Sequence, residues 1–475
     1  MLTCFCAARS KLNLTMISFF NNYKTDVWLP QCTRFHIADI VGFVSALIIV
    51  FTGTWLGGSI NRLAWGILLL AFFVALREFW PVLRRNLVFW ASVVFIAYLG
   101  LRHGISLYEQ LDVPVKQGPE TGDLLRTSAL IFIIGALFVR DNIYRIRLFL
   151  LAALTGLSIW FLQDLDWNSL FALDWDSRRL FGPGNPNQIA MALSFALIGF
   201  FVAVIRVIYR AYSQNSLFSL SSIVTILGYL LLLSFVAWTL IITGSRNAWI
   251  GSVGGIIAAS FLLSIFLPSS SKSRWKVVSI VAVASCITIV LATLALFQTH
   301  HAKDRAIETV ETIQQYLTDP DAAAEDPVSR SVALRIEFPR VGIEAWKERP
   351  LLGWGTEMNY EPVQEARPGQ VHFHNLYIEV LYALGAIGAI LYFGTYLGLF
   401  TWAATSLRHY GRAAFPAIFA ISSATSLAIM LLATVRVHQS FGRTVFFFVG
   451  VCLASFYIGS KLRDYYAKNQ CEHTH

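Results

Sequence analysis

Charge is what this chain has least of. Asp, Glu, Lys and Arg supply 14% of its 475 residues, against about 25% in soluble globular domains, and that scarcity argues against a water-soluble fold. Acid is scarcer than base, with 28 Asp and Glu against 37 Lys and Arg and a formal net charge of +9. In a soluble protein such an excess would suggest nucleic acid; here it reads as the basic loops of a membrane protein, and no nucleic-acid partner is expected. The six cysteines, Cys4, Cys6, Cys32, Cys286, Cys452 and Cys471, all avoid the long polar stretches, so a disulfide framework is not expected. Cys4 and Cys6 lack the two-residue gap and histidine partners of a zinc site. Nor is a cleavable signal peptide expected. The first 38 residues hold scattered Arg and Lys but no apolar core ending in small residues, so the first span is expected to act as the insertion signal.

What the chain has is apolar sequence, 56% of it, with a mean hydropathy of +0.59. Runs near 20 apolar residues recur, as bilayer-spanning helices require. They predict an all-α polytopic integral membrane protein of about twelve spans, near 39–57, 63–79, 86–101, 126–139, 147–163, 188–206, 222–243, 247–267, 276–297, 375–401, 413–434 and 443–460. Around them lie a cytoplasmic N-terminal segment (1–38), nine spans (39–297), a loop domain (298–374), three spans (375–460) and a cytoplasmic tail (461–475). Every second connection is basic: Arg77, Arg84 and Arg85; Arg140, Arg145 and Arg147; Arg206 and Arg210; Lys272, Arg274 and Lys276; Arg408 and Arg412; Lys461 and Arg463. The positive-inside rule puts these connections and both termini in the cytoplasm.

The opposite face receives residues 102–125, 164–187, the turn 244–246 and the long loop 298–374. That loop holds thirteen of the 28 acidic residues, and long external loops are exempt from the charge rule. A loop of this length needs structure of its own. "DRAIETVETIQQYL" and "RSVALRIEFPRVGIEAWKE" predict two amphipathic helices, the second bent at Pro339.

Four pieces with chemical potential meet on that face. In "RRLFGPGNPNQIAMA", Arg178 and Arg179 precede Asn185-Pro186-Asn187 at a helix start whose free N–H groups suit an anion; a polar cap with interfacial arginines is the plainer account. "TGSRNAW" sets Arg246 alone between apolar helices, costly near lipid unless paired, although it could also snorkel to headgroups. The loop helix carries Arg330, Arg335 and Arg340, with Arg335 amid apolar neighbours; exposed loop arginines are otherwise merely solvated. Last, "VHFHNLYIEVLYALGAIG" puts His372, His374 and Asn375 at the brink of a span whose Gly385 and Gly388 permit close packing. A histidine can accept a proton from a hydroxyl, and arginines grip phosphate oxygens bidentately. One base among several such cations suits transfer from a diphosphate leaving group, although a boundary histidine is often only a cap. Asp164-Leu165-Asp166 and Asp174-Trp175-Asp176 look like metal-binding triplets, but such triplets arise often by chance and no metal is expected.

These residues resemble the bacterial O-antigen ligase family, within the superfamily that includes O-antigen polymerases and bacterial O-oligosaccharyltransferases. The resemblance rests on His374-Asn375 followed, after nine residues, by Gly385 and then Gly388; on "LRIEFPRVGIEAWKERPLLGWG"; and on "SRNAW". It implies a cofactor-free, metal-independent, inverting transfer of a glycan from undecaprenyl diphosphate to a sugar hydroxyl of the lipid A core oligosaccharide, at the periplasmic face of the inner membrane. Carried over by motif, His374 is the base, Asn375 and Glu379 support it, and Arg179, Arg246 and Arg335 hold the diphosphate. Arg178, Asn187, Arg330 and His372 are secondary candidates. A polymerase or protein O-oligosaccharyltransferase with the same donor is the nearest alternative. A flippase or transporter fits less well, because no internal repeat is evident and the polar residues crowd one face.

Overall fold

The computed structural model describes residues 33–53, 59–109, 121–166, 186–214, 219–266, 307, 310–315, 318, 330–356, 362, 372–410, 414–433 and 440–472. Among them the chain forms thirteen helices: α1 Thr33–Thr52, α2 Ser59–Leu83, α3 Leu87–Glu109, α4 Thr121–Arg126, α5 Ala129–Val139, α6 Ile143–Asp164, α7 Pro186–Ser213, α8 Leu220–Ile242, α9 Arg246–Phe266, α10 Arg330–Glu348, α11 Leu376–Tyr410, α12 Ala414–Met430 and α13 Ser440–Glu472. Ten stretches are long and apolar enough to cross a membrane, α4 and α5 together making one of them. α12 is apolar but shorter. The expected span at 276–297 lies outside the described residues. Side chains such as Leu87 and Leu220, both 78% exposed, would be an aggregation surface in water and are at home in lipid. The protein is an all-α, multi-pass membrane protein.

α5 sits at the centre, buried along nearly its whole length, and packs against α13, α1, α2 and α3. At its C-terminal end the basic residues behave otherwise than expected. Arg140 and Arg145 read from sequence as solvated loop charges, yet both are buried against Asp39 of α1. Arg140 Nη2 donates to Asp39 Oδ1 at 2.6 Å, and Arg145 donates to both carboxylate oxygens at 3.0 and 2.5 Å. The acid on the neighbouring helix converts loop charge into a buried bridge joining α1, α5 and α6.

The feature that positions the other end of the bundle is a break in α11. Gly385 has φ 65° and ψ −174° inside the span, a left-handed conformation that L side chains avoid. A broken helix in lipid leaves backbone groups that must find partners. They find them in the segment Pro350–Gly355. Trp354 N donates to Tyr382 O and Gly355 N to Ala383 O, both at 2.8 Å; Ala386 N donates to Pro350 O at 2.8 Å and Ile387 N to Leu351 O at 3.2 Å. The fit needs glycine on both sides, since a Cβ at Gly353 would stand 2.4 Å from Gly385 N and one at Gly385 2.3 Å from Leu351 O. α3 locks the plug from behind: Tyr98 Oη donates to Leu384 O at 2.6 Å and Arg102 Nη2 to Gly353 O at 3.0 Å. The sequence reading had one unbroken helix here, with Gly385 as a packing site; it is instead a joint.

α10 lies against the first half of α11, its Leu334, Phe338, Val341 and Ala345 packing with Phe373, Ile378 and Tyr382. It runs through Pro339 as a single helix. Trp354 completes the contact, its Nε1 donating to Ala345 O at 2.8 Å while its ring stacks on Tyr382.

Gly385→Ala is expected to destabilise the protein by about 1–3 kcal/mol from backbone conformation alone, with the clash added. Gly394→Ala, in the same helix with nothing within 4 Å of the added carbon, should be neutral or slightly stabilising. Thermal unfolding of the two purified variants measures the difference.

Candidate active site

α11 begins where the histidines are. Asn375 caps it: Oδ1 accepts from Tyr377 N at 2.9 Å and Ile378 N at 3.2 Å, using two of the free donors of the first turn. Just before the cap, His374 has φ 56°. A left-handed non-glycine residue of this kind is sustained only when its surroundings hold it, and such residues concentrate at functional sites. Here the surroundings are specific. Glu379, fully buried, accepts from Phe373 N through Oε1 at 2.9 Å. The His374 ring lies parallel to Phe338 of α10, centroids 5.8 Å apart, and the His372 ring meets it edge-on at 4.1 Å. Arg335 is half-buried one turn before Phe338 on the same helix.

Arg246 reaches this end of the bundle by a different route. Three consecutive carbonyls at the end of α12 accept from two other helix starts: Leu431 O from Leu376 N at 3.1 Å, Leu432 O from Asn375 Nδ2 at 2.9 Å, and Ala433 O from Asn247 Nδ2 at 2.8 Å. Asn247 follows Arg246 directly, so the N-termini of α9 and α11 hang on one short piece of backbone. α9 can approach closely because a Cβ at its Gly251 would stand 3.0 Å from Ser426 O of α12. α7 joins through Ser194 Oγ, which donates to Ala248 O at 3.2 Å, and this brings the half-buried Asn187 of its first turn to the same end.

Of the residues singled out from sequence, His372, His374, Asn375, Glu379, Arg335, Arg246 and Asn187 are therefore gathered at one end of the bundle. Arg178 and Arg179 lie outside the described residues, as do Asp174 and Asp176; for Arg330 only the backbone is described. Among the described residues, no group of three or more His, Cys, Asp or Glu side chains is arranged to hold a metal ion.

Two contributors were not foreseen. Phe338 supplies the flat wall behind His374, and a phenylalanine in an amphipathic helix reads as ordinary packing. The second is a polar cluster at the end of α3. His103 Nδ1 lies 2.9 Å from Thr121 Oγ1, which donates to Thr356 Oγ1 at 2.8 Å, beside buried Arg102. Nearby in sequence, buried Asp123 pairs with Arg126 and Arg443. The only sequence signal was Arg102-His103 closing an apolar run, which reads equally well as a loop.

The model of the O-antigen ligase family matches residues 229–393. Over this stretch the chain is similar to the O-antigen ligase family. The match covers about a third of the chain. It runs from α8 to the second half of α11, taking in Arg246, Arg335, His374 and the Gly385 joint. No curated protein matches the chain. The matched stretch thus contains the histidine turn and the plug that fixes it, while the carbonyls that receive it, at Leu431 to Ala433, lie beyond.

If Glu379 serves as an acceptor for the histidine turn, Glu379→Gln should fold with near-normal stability, because the amide oxygen can still accept from Phe373 N. Glu379→Leu should lose about 1–3 kcal/mol through the buried, unsatisfied N–H. Thermal unfolding of the two variants distinguishes them.

Proposed function

We propose that the protein is an O-antigen ligase acting at the periplasmic face of the bacterial inner membrane. In this reaction it moves a glycan from undecaprenyl diphosphate to a sugar hydroxyl of the lipid A core oligosaccharide. The observation that carries this proposal is the held histidine turn. His374 is kept in a left-handed conformation by Glu379 and Asn375, and backed by Phe338. Of three consecutive carbonyls, two anchor its helix and the third anchors the residue next to Arg246.

His374 accepts the proton of the acceptor hydroxyl as its oxygen attacks the anomeric carbon from the face opposite the diphosphate. The new C–O bond forms, the bond to the diphosphate breaks, and the configuration inverts. The diphosphate is already a good leaving group, so no separate acid is needed. Its growing negative charge is met by Arg246 and Arg335, with Arg179 as a third cation, because planar guanidinium groups match paired phosphate oxygens. Asn375 and Glu379 act by holding the turn. The donor's tail belongs in lipid and its sugar in water, which suits a histidine at the start of a span.

His374→Asn is the informative knock-out, since asparagine tolerates the left-handed backbone but offers no base. Loss of general-base help should lower transfer by about 10²–10⁴-fold, with the protein still in the membrane at its usual abundance; near-normal transfer would remove the base role.

Arg246→Lys and Arg335→Lys should each leave transfer well below normal, because lysine cannot bind bidentately; full activity of both would point to diffuse charge. Lipopolysaccharide gels from a deletion strain decide the acceptor: loss of the whole ladder with accumulating lipid-linked polymer means ligase, whereas a single-repeat band means polymerase.

A further inference from the structure

The bundle contains a cavity of about 370 Å³, walled by α6, α7, α12 and α13 and almost wholly apolar. Ala192, Ala196, Gly199 and Ala203 line it along one face of α7. Small residues at helical spacing ordinarily admit a second helix, but among the described residues they line this cavity. The ring of Phe419 bounds the cavity here, 3.3 Å from where a Cβ at Gly199 would stand.

The cavity has one charged wall residue, Arg206. Its guanidinium carbon stands 6.0 Å over the ring of Phe415, also in the wall. Arg147 of α6 and Arg210 of α7 act on Arg206 as like charges, and both are exposed. Arg206 thus sets a guanidinium at one mouth of an apolar cavity, where an anion is favoured. From Ala192 to Arg206 the wall follows α7 for about 21 Å at 1.5 Å per residue, more than half of a ~30 Å hydrocarbon core. That shape takes an extended hydrocarbon chain whose anionic head rests at Arg206.

The mouth is at the end of α7 away from the histidine turn, since the start of α7 is the part bonded to α9 through Ser194 and Ala248. A lipid held there sits in the opposite leaflet from the donor of the proposed reaction. We infer that this cavity is a binding site for an anionic glycerophospholipid, one acyl chain lying along α7 and the phosphate held by Arg206.

Native mass spectrometry of the full-length purified protein tests this, with phosphatidylglycerol or phosphatidylethanolamine of identical acyl chains added. The wild type should retain phosphatidylglycerol preferentially. Arg206→Gln should lower that retention about fivefold, as expected for one guanidinium near an anionic headgroup. Ala196→Trp, which fills the cavity, should abolish it; if that variant is not monodisperse, Ala196→Leu provides the comparison. Unchanged retention in Arg206→Gln or in the filled variant would overturn the assignment. So would a preference for polyprenyl diphosphate over phosphatidylglycerol that depends on Arg206, which would make this a carrier site.

Discussion

A bilayer interior offers no water to a backbone that has lost its helical partners, and the histidine end of this protein is organised around that constraint. α11 breaks at Gly385, and the freed groups on both sides of the break are taken up by Pro350–Gly355. Four main-chain hydrogen bonds inside the membrane domain cannot be exchanged cheaply for anything else. The segment is therefore held firmly, and with it α10, whose last turn runs directly into it. Phe338 and Arg335 keep a fixed relation to His374 because the loop helix is stitched to α11 at the break and packed against it along the first half.

The two ends of the bundle treat charge differently. At one, Asp39 neutralises Arg140 and Arg145 in a buried bridge, so the arginines contribute architecture. Removing one member of such a group is far more damaging than never having had it. At the other end, histidine, arginine and asparagine gather at helix starts, where backbone donors and guanidinium groups both favour negative charge. The Asp123 pair with Arg443 and the His103–Thr121–Thr356 cluster extend this polar end across α3, α4 and α13.

Much of this could be read in the sequence because apolar length is a one-dimensional property. Ten of the expected spans appear as helices of spanning length, and α12 as a shorter one. The histidine–asparagine pair and the glycine spacing after it also stood out, as did Arg246 and Arg335. What they do in three dimensions did not. Gly385 looks like a packing glycine because its left-handed backbone depends on a partner segment from another part of the chain. Arg140 and Arg145 look like loop charges because the acid that buries them is on α1. Phe338 carries no local mark, and Arg102 only an ambiguous one, since their roles come from what folds against them.

The hub joining α9 and α11 is made of main chain. Leu431, Leu432 and Ala433 offer their carbonyl oxygens, and the donors are one main-chain N–H, of Leu376, and the side-chain amides of Asn375 and Asn247. Any residue at these three places presents the same acceptors, so the anchor leaves no signature in its own letters. Substitution there is tolerated wherever the new side chain fits, whereas lengthening or shortening α12 by one residue would rotate all three acceptors out of line. The spacing of Arg246 relative to His374 is thus encoded in the length of a helix that contains neither.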